Sequence, residues 1–196
     1  GPHTYTQVEF YRDGVLMGDP TEGALVSLAA KGGLDPDSVC ADAPRTAEVP
    51  FDSARKRMTT VHRLPDEPAA LPEALAGLRA AGLRPGERTI AFTKGAVDGM
   101  LDISTHTWVG GEPQPLDDGW RERIHRANEE MAKNGMRVLG IGVQWIDSAE
   151  DELERDLTII GLVGMIDPPR PEVKAAVATA KTAGIRPIMI TGDHPL

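Results

Sequence analysis

The chain has 196 residues, of which 40% are hydrophobic and 26% charged, and its formal net charge is −9. This size and composition predict a globular protein with a substantial hydrophobic core. The acidic pI near 5.0 argues against binding to a nucleic-acid backbone, and the aromatic content of 4% argues against a stacking surface for bases.

Cysteine content and apolar runs indicate the environment of the chain. The single cysteine, Cys40, excludes an internal disulfide and a multi-thiolate metal site, and it fits a reducing compartment. The longest apolar run, residues 159–166, is too short to cross a bilayer. Gly1-Pro2 resembles the remnant of a protease-cleavage site, which indicates an excised fragment. We therefore expect a soluble fragment without a metal site of its own.

Turn and cap signals predict the elements of the first third of the chain. Asp13-Gly14 favours a hairpin between two short strands, and Pro20 with Thr21 begins a helix that Gly32-Gly33 ends. A loop holding Cys40 follows this helix. The predicted elements are two strands within residues 5–17, a helix over residues 22–31, and strands over residues 48–51 and 57–64.

A basic stretch, residues 51–63, stands out in this acidic chain. It opens on the aromatic Phe51 and carries four basic residues and one acid, which gives a local charge of +3. The bases are Arg55, Lys56, Arg57 and Arg63, and the acid is Asp52. The pattern is typical of an anion-binding site, and equally of a strand edge that carries solvated charges.

The middle of the chain begins with a change of composition. Residues 65–86 are rich in Pro, Ala and Leu, and they predict one surface helix that we interpret as an insertion. After it, Gly110-Gly111 indicates a hairpin, Asp117 caps a long helix, and the acidic run 149–156 predicts a solvated loop. The other predicted elements are strands over residues 89–93, 136–146 and 157–166, a hairpin over 108–116, and helices over 97–103 and 117–133.

Two adjacent prolines after Ile166 mark a boundary. A helix over residues 171–183 begins at a proline, and an apolar strand over residues 186–191 follows it. This order is typical of a parallel α/β sheet. Because the helix and the strand both have apolar surface to cover, we predict that they fold back on the main sheet or pair with a second copy of the chain.

Six short motifs occur in one order along the chain. They are Thr21-Glu22-Gly-Ala-Leu25, Phe51 with Arg55-Lys56-x-Met58, Phe92-Thr-Lys94-Gly95-Ala96, Met136-Arg137-Val138-Leu139, Asp167-Pro-Pro-Arg170 and Thr191-Gly192-Asp193. Together they resemble the nucleotide-binding domain of type II P-type cation ATPases, continuing into the phosphorylation domain.

The resemblance implies an α+β fold, an antiparallel β-sheet flanked by helices. Residues 1–166 would form the nucleotide-binding domain, with 65–86 as a helical insertion. Residues 167–196 would form the hinge and a helix–strand fragment of a haloacid-dehalogenase-like α/β domain.

The resemblance also implies the base-binding residues. Phe51 would stack on the adenine ring, and Glu22 would accept a hydrogen bond from the adenine amino group or its water. Lys94 would lie beside the purine and the triphosphate, with Gly95 keeping the wall of the pocket low. For an isolated Phe beside a strand, a core position is the ordinary alternative.

Two further cations would meet the nucleotide. By the resemblance, Lys56 approaches it from the neighbouring strand, or is a solvated loop charge. Arg137 reaches a phosphate, or is a charge at a strand edge; a guanidinium fork suits the first role. Arg55, Arg57 and Arg63 are interpreted as solvated.

The last two motifs would lie near the phosphorylation site. The resemblance assigns hinge or phosphoryl-neighbour positions to Asp167, Arg170, Thr191, Gly192 and Asp193. The family's phosphorylated aspartate stands in an Asp-Lys-Thr-Gly-Thr motif, and the sequence contains no such motif. We therefore predict no catalytic residue in this fragment.

The resulting hypothesis is an ATP-binding domain of a cation-transporting pump, with Mg²⁺ arriving on the nucleotide. The parent protein would lie in the cell membrane, and this domain would be cytoplasmic. Its partners would be ATP and the phosphorylation, actuator and membrane domains, with no nucleic acid, and the C-terminal strand would offer an edge for self-association. The alternatives are a non-catalytic nucleotide- or protein-binding module and a haloacid-dehalogenase-like phosphatase, which Thr191-Gly192-Asp193 suggests.

Overall fold

The structure is a computed structural model that describes residues 8–10, 16–65, 89–146, 152–166 and 170–188. In these ranges the strands are β1 (Val8–Phe10), β2 (Leu16–Gly18), β3 (Arg45–Asp52), β4 (Arg57–Arg63), β5 (Thr89–Gly95), β6 (Ser104–Val109), β7 (Glu112–Pro115), β8 (Arg137–Ile146) and β9 (Leu157–Met165). The helices are α1 (Pro20–Lys31), α2 (Pro36–Asp42), α3 (Val97–Asp102), α4 (Asp118–Lys133) and α5 (Pro171–Thr182).

The centre of the fold is a seven-stranded sheet with the order β3-β4-β5-β8-β9-β6-β7. Neighbouring strands are antiparallel except β6 and β9, which run parallel, with Thr107 opposite Ile159. Strands β1 and β2 form a separate antiparallel pair. The predicted α+β fold, a largely antiparallel sheet flanked by helices, is confirmed, and the parallel pair is a feature that we did not predict.

Apolar side chains cover both faces of this sheet. Ile90 and Val143 belong to a buried cluster on one face, with Leu64 and Ala43. Ile159 lies on the other face, since it follows Thr158, the residue paired with Val143, and successive side chains alternate. Its cluster includes Val97, Leu101 and Leu116. The sheet is therefore the middle layer of the domain, and residues next to each other on a strand serve different faces.

Local signals account for the start of α4 and for the turn between β6 and β7. The Asp117 carboxylate accepts a hydrogen bond from the backbone N–H of Trp120 at 2.8 Å, as predicted for the cap of α4. The hairpin β6–β7 turns at Gly110 and Gly111, which have φ of 63° and 94°. This left-handed backbone is the reason for glycine at the two positions.

Helix α2 corrects the prediction of a loop around Cys40. The Asp35 side chain accepts a hydrogen bond from the backbone N–H of Ser38 at 3.1 Å, and Pro36 stands at the first position of the helix. Both are ordinary start signals. The helix has only seven residues, so its apolar pattern is too short to indicate it.

The C-terminal helix α5 begins at the predicted proline, but none of its residues is buried, so packing onto the main sheet is not observed. The predicted strand is not formed over residues 186–188, where Ile188 is 79% exposed. Pro187 has no backbone N–H to donate to a neighbouring strand. Residues 189–191 and nearly all of the 65–86 insertion lie outside the described residues. The division at residue 166 stays a prediction.

His62, on β4, makes the stability of the domain depend on pH. Its Nδ1 donates to the Ala43 carbonyl at 2.9 Å, and its Nε2 lies 3.0 Å from the Thr60 hydroxyl, which donates to the neutral ring. Burial lowers the pKa of the imidazole below 6.5, against the effect of the Ala43 hydrogen bond, and repulsion by Arg45 adds to the lowering. The contribution to stability is therefore complete above pH 6.5 and is lost as the pH falls through the lowered pKa.

We expect the free energy of unfolding to fall between about pH 7 and pH 5, and to fall less in His62→Gln. Urea unfolding at several pH values measures both slopes. Identical slopes would contradict the assignment to His62.

Candidate functional site

A cavity of about 430 Å³ opens at one end of the sheet, beside the N-terminus of α1. Its volume lies in the range of small-molecule sites. It is lined by Asp19, Thr21, Glu22, Glu48, Pro50, Phe51, Lys56, Met58, Lys94, Gly95, Arg137 and Leu139. The structure thus brings all six nucleotide-site residues predicted from the sequence into one cavity, although they come from α1, β3, β5, β8 and the turn between β3 and β4.

The apolar part of the cavity suits a flat ring. Phe51, near the end of β3, is 64% exposed, which is unusual for a large aromatic side chain. Met58 on β4 is buried, and Leu139 on β8 is partly buried. Phe51 is therefore not a core residue, and its ring offers a free face to a ligand.

An ion pair lies in the same cavity. The Lys94 ammonium donates a hydrogen bond to Glu22 Oε1, with side-chain exposures of 20% and 17%. Glu22 stands in the first turn of α1, where the helix dipole favours a carboxylate. The pair joins β5 to α1 and places a donor and an acceptor beside the exposed ring.

Arg137 lies at the rim, where β8 begins next to the N-terminus of α1. Its Nη1 donates to Thr21 Oγ1 at 3.0 Å. Asp19 caps the helix and accepts hydrogen bonds from the backbone N–H groups of Glu22 and Thr21. Burial raises the pKa of the Asp19 carboxyl. These hydrogen bonds and the charge of Arg137 outweigh that effect, so the pKa lies below its ordinary value. The rim therefore holds one exposed guanidinium beside an ionised carboxylate.

Gly95 allows the end of β5 to approach the β3–β4 turn. A Cβ atom at Gly95 would lie 2.6 Å from Arg57 Cβ and 2.7 Å from the Lys56 carbonyl oxygen. The N–H of Ala96 donates to that same carbonyl at 3.0 Å. Only a residue without a side chain fits here, so the low wall expected at Gly95 has a steric cause.

The turn before Lys56 is held by Asp52. Its carboxylate accepts the backbone N–H groups of Ala54 and Arg55, both at 2.9 Å. These hydrogen bonds, that of Arg55 first, lower the pKa of the Asp52 carboxyl. Lys56 itself has φ of 52°, in the left-handed region that non-glycine residues seldom adopt.

Glu154 corrects two predictions from the sequence. Its side chain is only 7% exposed, and it pairs with Arg55 and with Arg57, whose Nε lies 2.8 Å from Glu154 Oε2. The acidic run is therefore not a simple solvated loop, and Arg55 and Arg57 are not solvated charges. Both predictions were wrong because the charges of Arg55 and Arg57 are neutralised by a carboxylate that stands 99 and 97 residues away in the sequence.

Of the hinge and phosphorylation-site residues predicted from the sequence, the structure describes Arg170, which is exposed at the start of α5. Asp167, Thr191, Gly192 and Asp193 lie outside the described residues. No helix in the described part of the chain is long and apolar enough to span a membrane.

Comparison with known proteins gives a consistent result. The family model described as "P-type ATPase, cytoplasmic domain N" matches residues 5–172. The chain is 34% identical over 186 residues to a calcium-transporting ATPase of Listeria monocytogenes, covering 93% of this chain and 19% of that protein. It is 36% identical over 187 residues to calcium-transporting ATPase 1 of Bacillus cereus, covering 94% and 19%.

A mycobacterial protein is similar to the same extent. The chain is 35% identical over 192 residues to the probable cation-transporting ATPase F of Mycobacterium tuberculosis, covering 93% of this chain and 19% of that protein. The chain thus spans about a fifth of the length of these relatives.

Proposed function

Because the chain belongs to the family of P-type ATPase cytoplasmic N domains, we propose that it binds ATP for a cation-transporting pump. The observation that carries this proposal is the single cavity that combines the exposed ring of Phe51, the Glu22–Lys94 pair and Arg137. An aromatic face, a carboxylate acceptor and cationic donors are the groups that a purine nucleotide needs.

The adenine ring would enter beside Phe51. Stacking of a base on an aromatic side chain contributes about 1–3 kcal/mol. Glu22 would accept a hydrogen bond from the exocyclic amino group or its water, and Lys94 would stand next to the purine. Since Lys94 and Glu22 are paired with each other, the incoming base exchanges one polar contact for another and leaves neither charge buried alone.

The phosphates would lie toward Arg137 and Lys56. The guanidinium of Arg137 can present two parallel donors to a phosphate, which a lysine cannot. No group of three or more His, Cys, Asp or Glu side chains in the described ranges could hold a separate metal ion. We therefore propose that Mg²⁺ arrives on the triphosphate.

In the parent pump, the domain would deliver the γ-phosphate to an aspartate of the phosphorylation domain. The 196 residues contain no Asp-Lys-Thr-Gly-Thr motif, so the residues present would bind and present the nucleotide and leave the transfer to that partner domain. The parent would lie in the cell membrane with this domain on the cytoplasmic side. Its other partners would be the actuator and membrane domains.

Titration of MgATP into ¹⁵N-labelled protein tests the proposal by NMR. We expect shift changes at Glu22, Phe51, Lys94 and Arg137, with a dissociation constant near 1 mM, or about 4 kcal/mol of binding free energy. No shift change up to about 10 mM would contradict the proposal. Changes confined to residues outside the cavity would also contradict it.

Replacing Arg137 by alanine should separate phosphate recognition from base recognition. Hydrogen bonds to charged groups contribute about 1.5–3 kcal/mol each, so the affinity for ATP should fall at least about tenfold. The affinity for adenosine, which has no phosphate, should be unchanged. Calorimetry with both ligands makes the comparison, and Arg126→Ala on the exposed surface of α4 is the matched control. Equal losses for the two ligands would contradict a phosphate contact.

A further inference from the structure

The connection between β8 and β9 contains a glutamate, Glu154, whose carboxylate packs against the sheet. Glu154 lies three residues before β9, its side chain is 7% exposed, and its backbone has φ of 63°. A buried carboxylate on a left-handed residue is costly in two ways, since both desolvation and backbone conformation oppose it. Its contacts must therefore offset both of these costs.

Three donors surround this carboxylate. Arg55 Nη1 and Arg57 Nε donate to Oε2, the latter at 2.8 Å, and Thr59 Oγ1 donates to Oε1 at 3.0 Å. Thr59 is also 2.8 Å from the hydroxyl of Thr93, and both threonines are buried. The charge of Glu154 is thus neutralised and its oxygens are occupied by groups from β4 and from the turn that precedes it.

This cluster lies on the opposite face of the sheet from the cavity. Thr59 follows Met58 on β4, and Thr93 precedes Lys94 on β5; Met58 and Lys94 line the cavity. Since successive side chains of a strand point to opposite faces, Glu154 is behind the cavity wall. From this face Glu154 would not contact a ligand in the cavity. It can affect ligand binding only through the residues with which it forms hydrogen bonds.

Those residues are Arg55, inside the β3–β4 turn, and Arg57, directly after it. Arg55 uses Nη2 to donate to the Pro50 carbonyl at 2.8 Å, directly before Phe51. Arg57 directly follows Lys56. Phe51 is 64% exposed, so packing does not fix its ring, and Lys56 has an unfavourable φ. The position of both ligand-facing side chains therefore depends on how firmly the turn is held.

We propose that Glu154 is a positioning residue of the nucleotide cavity, which orders the β3–β4 turn through Arg55 and Arg57 so that Phe51 and Lys56 face the ligand. The inference rests on the proposed ATP binding and adds a residue from outside the cavity to it. Because the contact runs through Arg55, loss of either partner should have the same consequence for the ligand.

The test uses Glu154→Gln, with Glu152→Gln as the matched control. Glu152 stands two residues away and is exposed, paired with Arg155. We expect Glu154→Gln to weaken MgATP binding about tenfold at a temperature well below its unfolding midpoint, and to lower the ¹H–¹⁵N heteronuclear NOE of residues 53–56. Glu152→Gln should change neither quantity.

A second variant keeps the test decisive if Glu154→Gln folds poorly. Arg55→Gln breaks the link to Pro50 but leaves Glu154 paired with Arg57. It should weaken MgATP binding to a similar degree, and the double variant should lose little more, because the two changes remove one connection. A role limited to stability would lower the unfolding midpoint and leave the affinity and the NOE unchanged.

The outcomes separate the two proposals. Unchanged affinity together with an unchanged NOE in folded Glu154→Gln or Arg55→Gln overturns the positioning role. If wild-type protein fails to bind MgATP, the proposed function is refuted, and with it the positioning of a nucleotide. The NOE then still decides whether Glu154 orders the turn.

Discussion

Replacing Phe51 by alanine should weaken ATP binding about fivefold to a hundredfold, because stacking on an aromatic side chain contributes about 1–3 kcal/mol. The ring is 64% exposed and contributes little to the core, so the free energy of unfolding should change by less than about 0.5 kcal/mol. Loss of affinity without loss of stability is the expected combination. NMR titration and urea unfolding of the same samples measure both quantities.

Two control variants separate the ring from a general loss of apolar surface. Phe51→Tyr keeps an aromatic face and should bind ATP within about threefold of wild type. Leu28→Ala removes a side chain that is 50% exposed on α1 and does not line the cavity, so it should leave affinity unchanged. Wild-type affinity in Phe51→Ala would exclude stacking and would remove the main support for a nucleotide site.

The residues of the candidate site could be predicted from the sequence where they belong to short motifs. Glu22, Phe51, Lys94 and Arg137 each stand in a motif, and the structure brings them together although Thr21 and Arg137, which share a hydrogen bond, are 116 residues apart. The order of the motifs indicated this proximity. Neither the composition nor the hydrophobic periodicity of the sequence could have indicated that these residues lie close together.

Glu154 illustrates what the sequence could not indicate. It lies in a run of acids, and a run of like charges is usually solvated. Which acid turns inward depends on where β4 and the turn before it place Arg55, Arg57 and Thr59, about a hundred residues away in the chain. The excess of bases in residues 51–63 fitted either an anion-binding site or a solvated strand edge, and the structure pairs two of these bases with an anion of the chain itself.

Strand pairing was predictable only where the chain makes a hairpin. The turn at Gly110-Gly111 fixed the pairing of β6 with β7, whereas the parallel pairing of β6 with β9 depends on the path of the chain through α4 and β8. Over residues 186–188, the described part of the predicted C-terminal strand, no strand forms, for a related reason. An apolar run adopts strand geometry when a neighbour offers backbone partners, and Ile188 is 79% exposed.

Gly95→Ala should destabilise the domain, because the backbone of the β3–β4 turn occupies the space that a side chain would need. The new Cβ would stand 2.6 Å from Arg57 Cβ and 2.7 Å from the Lys56 carbonyl oxygen, and neither neighbour is the flexible end of a side chain. The backbone of β5 or of the turn must shift, which typically costs about 1–3 kcal/mol. We expect urea unfolding to report a loss in that range, accompanied by weaker ATP binding.

Gly161→Ala is the matched control, since Gly161 is also within a strand of the sheet and, among the described residues, none beyond its chain neighbours has an atom within 4 Å of a Cβ built there. It should change the free energy of unfolding by less than about 0.5 kcal/mol. If Gly95→Ala were as stable as Gly161→Ala and bound ATP normally, the close approach of β5 to the β3–β4 turn would not exist in solution. The same contact holds the turn that carries Lys56 against the strand that carries Lys94, so its absence would also remove the steric reason for glycine beside the proposed nucleotide site.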